Sequence, residues 1–251
     1  MRKLFCKKID GASAGGPSRI RHFVRDGSIT AMTKERCAMD TTNQRLLSLG
    51  LLIPFWLFAG VSLTSFGYPG YSHFEQAMSQ LGAVGAPTHS YSAWVNNFPL
   101  GVLFGLFALG LARRYAGSRL ALVSAAFILL HGLASFATGY FSCDAGCVPA
   151  QPSTSQQIHN IAGMVMFLSL TMASGLWFFL SKRLLSSTGF KWFSALCVIL
   201  ALATVALMAK AFSDGHGFGL YQRLNYGVSV AWIAALAWTA LRSEPARVSV
   251  I

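Results

Sequence analysis

The sequence predicts an all-α integral membrane protein, a six-helix bundle with a short amphipathic helix between the first and second spans. Three observations carry that prediction. Only 11% of residues are charged, against about 25% in an average soluble domain, while 54% are hydrophobic. The apolar residues are gathered in six blocks, each long enough for the ~20 residues that cross a bilayer. The basic residues sit at the ends of those blocks, where membrane topology places them. That distribution also explains the formal charge of +12 and argues against nucleic-acid binding, which wants its cations in one patch.

Residues 1–45 are polar and carry ten Lys/Arg with no hydrophobic period, so they read as a disordered basic cytoplasmic tail. Met32 and Met39 each stand ahead of the first span as alternative starts. The spans follow at 46–66, 94–111, 120–141, 158–180, 192–212 and 224–241, and residues 243–251 form a C-terminal tail. Pro54 lies inside the first span and is expected to kink it. A cytoplasmic N-terminus puts eighteen of the twenty Lys/Arg on the inner side and leaves only Lys210 and Arg223 outside. The expected placement is therefore the cell membrane, multi-pass, with both termini cytoplasmic.

In this orientation three segments face outside: 67–93, 142–157 and 213–223. They hold Glu75, Asp144 and Asp214, the acidic residues between the first and last spans. Any chemistry is expected at that face. The first segment contains YSHFEQAMSQLGAVGAP (71–87). Ser72 and Glu75 have capping-box spacing, Gly82 suits a helix C-terminus, and Phe74, Ala77, Met78 and Leu81 form one apolar stripe. The pattern predicts an amphipathic helix over 72–82, a lid for whatever lies beneath.

The second segment contains CDAGC. Cys143 and Cys147 are close enough for a disulfide in an oxidising compartment; a thiolate metal pair and two free thiols are the alternatives. His159 opens the fourth span. It is either a base or metal ligand facing Asp144, or an interfacial histidine bonded to a loop carbonyl. In the third span Ser124, Ile128, His131, Ser135, Thr138 and Ser142 form one stripe, polar at all but one position. The stripe must face the bundle interior, where it ties helices together or lines a pocket. Asn97 leads into Gly101 and Gly105, a close-packing face. The third segment supplies Asp214, His216 and Arg223 on a glycine-rich stretch expected to form an irregular loop.

The elements SQLGAVGAP (79–87), CDAGC (143–147) and His159 opening the fourth span carry a resemblance. Over about 46–242 the chain resembles the bacterial and archaeal membrane family called domain of unknown function 998. That resemblance implies a multi-span helical protein without an assigned activity. The chain is also similar, more weakly, to the alkaline ceramidase and progestin-receptor-like membrane hydrolases, which carry a Ser, an Asp and three His at the membrane face. Those have seven spans and a His pair in the last; this chain has six spans and no His in its last.

The first function these residues point to is an outward-facing polar pocket for a small molecule or lipid head group, needing no cofactor. Ser79, Asp144 and His159 would line it, and His73, Glu75, Asn97, His131, Asp214 and Arg223 would be further contacts. The second is a hydrolase acting on a lipid or amide, with zinc held by Asp144, His159 and His216 and the bond polarised by Ser79. The third is a structural or interaction protein with no small ligand; in every case membrane lipid is an expected partner.

Overall fold

The computed structural model describes residues 24–25, 28–29 and 40–243. A two-residue antiparallel pair, β1 (Val24–Arg25) and β2 (Ser28–Ile29), falls within the expected tail. Most of the 1–45 tail, Met32, Met39 and residues 244–251 lie outside the described residues.

The helical unit begins with α1 (Thr41–Phe66), five residues ahead of the apolar block, so the tail's expected last residues are helix. Next come α2 (His89–Val95) and α3 (Asn97–Arg114), then α4 (Arg119–Tyr140), α5 (Thr154–Leu184), α6 (Thr188–Asp214) and α7 (Phe218–Arg242). With α2 and α3 taken as one span, six helical segments among the described residues are long and apolar enough to cross a membrane. Serine starts three of them. Ser118, Ser153 and Ser187 accept N–H groups of Ala121, Gln156 and Phe190. The third outer segment is more regular than its glycines suggest: α6 runs to Asp214, and Gly215 and Gly217, at φ +71° and +80°, turn the chain into α7.

The second span breaks between α2 and α3. Pro99 has no N–H for the carbonyl of Val95, and the indole N–H of Trp56 donates to that carbonyl instead, at 3.0 Å. Asn96, at the break, donates to Thr64 Oγ1 at 3.0 Å.

Each span packs on its neighbours in sequence, and α7 packs back on α1, closing a ring. Small residues set the close approaches. A Cβ on Gly50 would fall 2.7 Å from Phe107 and 2.8 Å from Ala237, so α1 wedges between α3 and α7. A Cβ on Gly101 would fall 2.9 Å from the Gly132 carbonyl, whereas Gly105 has room; the tight α3–α4 contact is Gly101 with Gly132. Two buried indoles find partners across helices, as lipid favours. Trp177 donates to Ser124 at 3.0 Å and Trp232 to Ser194 at 3.1 Å. The ring has a basic end, marked by Arg113, Lys182 and Arg242, and a loop end.

The amphipathic helix expected over 72–82 does not form as one piece. Ser72 begins a turn, accepting the N–H of Glu75 at 3.2 Å through its side chain. The residue that reaches back to the Ser72 N–H is Gln76, not Glu75. Ala77 is then extended, with ψ 148°, and a 3-10 turn follows at Met78–Gly82. The cause is tertiary. The carbonyls of Phe74 and Glu75, which a helix would use itself, accept N–H groups of Leu220 and Gly219 at the start of α7.

Candidate functional site

The polar contacts gather at the loop end, beginning with the roof. Arg223 on α7 donates to the carbonyls of Gln76 and Gly219, both at 2.9 Å, and to the Tyr71 hydroxyl at 2.6 Å. Gln222, its neighbour, accepts the Met78 N–H at 2.7 Å. Glu75, released from the capping role by Gln76, accepts the Gly217 N–H at 2.6 Å and pairs with His216 Nδ1 at 2.7 Å. The segment 72–82 is thus stapled to α7. Burial raises the Tyr71 phenol above its ordinary range, against the pull of Arg223. His73 is held below the ordinary imidazole range, first by partial burial and then by the nearby Arg223 charge.

The loop after α4 clamps the other side of the roof. Cys143 and Cys147 are disulfide-bonded. Val84 donates its N–H to the Cys143 carbonyl at 2.9 Å, and Gln80 donates to the Gly146 carbonyl at 2.9 Å. The Asp144 carboxylate turns toward the start of α5, where it accepts the Ser153 hydroxyl at 2.6 Å and N–H at 2.9 Å. Those bonds, the hydroxyl's first, hold its carboxyl below the usual aspartate range.

Beneath this roof lies a cavity of about 1240 Å3. Small-molecule pockets run ~300–1,000 Å3, so the space suits something larger than a metabolite of a few atoms. Asn97, Ser135, Thr138, Gln156, His159 and Gln222 contribute polar lining. The first three are one network: Ser135 donates to the Asn97 carbonyl at 2.8 Å, and the Asn97 amide donates to Thr138 at 2.9 Å. His159 Nδ1 lies 2.8 Å from the Phe141 carbonyl. A carbonyl only accepts, so Nδ1 carries the hydrogen, and Nε2 of the neutral ring has acceptor character. Among the described residues no Lys or Arg lines the cavity.

Of the residues expected to form a site, Ser79, Glu75, Asn97, His159 and His216 line the cavity. The others take different places. His131 is buried between Phe104 and the Met166 carbonyl, tying α4 to α5 at 3.0 Å. The upper part of its stripe reaches the cavity; the lower part binds helices. Asp144 braces α5, Asp214 pairs with Lys210 on the surface at 2.7 Å, Arg223 staples the roof, and His73 meets Ser65 at 3.1 Å. The set Asp144, His159 and His216 is not assembled, because each is turned to a separate partner. Among the described residues no three His, Cys, Asp or Glu gather closely enough to hold a metal ion. Sequence reasoning passed over Gln156 and Gln222. Their signal was glutamine near the head of an apolar span, where a polar group needs a reason to be.

A closed ring of apolar spans with a roofed cavity at one end defines a multi-pass membrane protein. Its sequence places it further. The chain belongs to the protein family of unknown function DUF998, whose profile matches residues 51–239. No curated protein and no solved structure matches it.

Proposed function

We propose that this protein is a receptor-like binding protein of the cell membrane, its loop end outside and both termini cytoplasmic, whose cavity binds a small molecule or lipid head group. The orientation rests on the eighteen basic residues expected on the inner side. One observation carries the binding reading: the stapled segment 72–82 roofs a cavity whose wall presents Asn97, Gln156, His159 and Gln222. Thr138 on Asn97, Asn160 on Gln156, the Phe141 carbonyl on His159 and the Met78 N–H on Gln222 hold these side chains in place, so the wall is polar and preorganised at a depth where polarity is costly. Without lining Lys or Arg, the wall suits a ligand that hydrogen-bonds and carries no net negative charge.

The test is retention. Protein purified in mild detergent is extracted, and bound compounds are measured by mass spectrometry against His159→Phe and Ala93→Trp, both in the cavity wall. A compound held near one per wild-type chain and lost in both variants, with melting temperature preserved, is the expected result. Equal content in all three proteins overturns the reading.

A further inference from the structure

The ring has a slit. On the basic side α5 and α6 are in contact: Phe178 and Trp192 stand 5.6 Å apart, Trp177 and Phe190 6.2 Å, and a Cβ on Gly175 would meet Val198 at 3.9 Å. Toward the loop end the two helices diverge. A Cβ on Gly163 would meet nothing within 4 Å. Met164 is 62% exposed and Phe212 60% exposed. At this level α6 is held by α7, through Asn225 on the Ala201 carbonyl and Thr204, both at 2.9 Å.

The walls of the slit are two stripes with the same helical spacing. Asn160, Gly163, Met164 and Phe167 lie on α5; Val205, Met208, Ala209 and Phe212 lie on α6. Both stripes also line the cavity, so slit and cavity are one space. Its depth says what fills it. α6 has 27 residues, ~40 Å at 1.5 Å each, against ~30 Å of hydrocarbon. Val205 to Phe212 therefore stands within the loop-side leaflet, where the surrounding fluid is acyl chain. Polarity is graded to match: Gln156, His159 and Asn160 lie toward the loop end, with Met164, Phe167 and Val205 deeper. That is the pattern of one amphiphile lying head-up in its own leaflet.

We propose that the α5–α6 slit is a lateral entrance that takes one acyl chain of a membrane lipid, while the lipid's head reaches the cavity. The occupant has a zwitterionic or uncharged head, since the lining supplies no Lys or Arg. The head's placement rests on the binding function proposed above; the chain's placement rests on the slit.

The test uses full-length protein in phosphatidylcholine vesicles containing phosphatidylcholine with a diazirine midway along one acyl chain. After photolysis, labelled residues are mapped by peptide mass spectrometry. Labelling at Met164, Phe167, Val205 and Phe212 is expected to exceed that at Phe58 and Leu63, which are exposed on α1 away from the slit. Gly163→Trp and Ala209→Trp fill the slit and should cut slit labelling roughly tenfold, the loss expected when about two methylenes of contact disappear. Melting temperature confirms that each variant folds. Labelling no stronger than at Phe58, or unchanged in both variants, overturns the proposal. So does efficient disulfide cross-linking of Val205→Cys between two chains, which assigns the slit to a second copy. If slit labelling fails while a compound is still lost in Ala93→Trp, the slit proposal falls and the cavity reading stands. If slit labelling persists and no compound is retained, the cavity reading falls instead.

Discussion

Glu75 reaches across 142 positions of sequence to accept the backbone N–H of Gly217 at 2.6 Å. That N–H sits at the start of α7, where the helix itself offers no acceptor, so the carboxylate is both a cap and a favourable charge. The same group pairs with His216, whose side chain is exposed. Glu75→Ala should cost about 0.5–2 kcal/mol, the range for loss of a helix N-terminal cap. His216→Ala should cost well under that, because an exposed ion pair contributes little. Thermal unfolding in detergent ranks the two; equal losses would mean the imidazole, not the cap, holds the roof.

Gly219 and Gly163 are both helical glycines, and the structure gives them opposite fates. A Cβ at Gly219 would run into the Gln76 carbonyl and fall 2.8 Å from that of His73, so the roof must lift. Gly219→Ala should lose about 2 kcal/mol or more, as expected for overpacking against backbone. Gly163→Ala meets nothing and should gain about 0.5 kcal/mol through lower chain entropy. Melting temperatures decide, and limited proteolysis within 72–82 should rise in Gly219→Ala alone.

Asp144 gives the roof's second clamp a pH dependence. Its folded carboxyl lies below the ordinary 3.8 because Ser153 donates to it twice. The unfolded chain therefore takes up a proton more readily than the folded one. The stability this residue adds is whole above the unfolded value and is lost as pH falls through the lower folded value. Asp144→Asn should melt lower than wild type at neutral pH, and the two curves should converge in acid below 3.8. A constant gap down to the most acid pH would show that the carboxylate's charge is not what matters.

The six spans were legible because lipid demands long apolar blocks, and the basic residues mark their ends. Asn97 and His159 were legible as polar residues at membrane depth, and Ser79 as part of the outer segment 67–93. The helix at 72–82 was not, since Ser72 and Glu75 speak for a local cap while the groups that displace it, on Gly217, Gly219, Leu220 and Arg223, come from the far end of the chain. Capping-box spacing cannot reveal that Gln76 takes over the return bond. The slit was equally hidden. Between Thr204 and Lys210 α6 is apolar at every position, so that stretch does not distinguish the face that meets α7 from the face that meets lipid.

The break in the second span offers a test of how lipid-buried carbonyls are satisfied. Val95 has lost its helical donor to Pro99 and accepts Trp56 Nε1–H at 3.0 Å. Trp56→Phe keeps an aromatic ring but leaves that carbonyl without the bond. Interhelical hydrogen bonds in membranes average about 0.6 kcal/mol and reach ~1.7, and a cost toward the upper figure is expected here because no water substitutes. Pro99→Ala restores an N–H one turn below Val95, letting the helix close its own bond. In that background Trp56→Phe should cost little. The double-mutant cycle should therefore show coupling of about 1 kcal/mol between residues 56 and 99 in reversible unfolding. Additive effects would mean that Trp56 contributes packing alone, and that the α2–α3 break is held by Asn96 on Thr64.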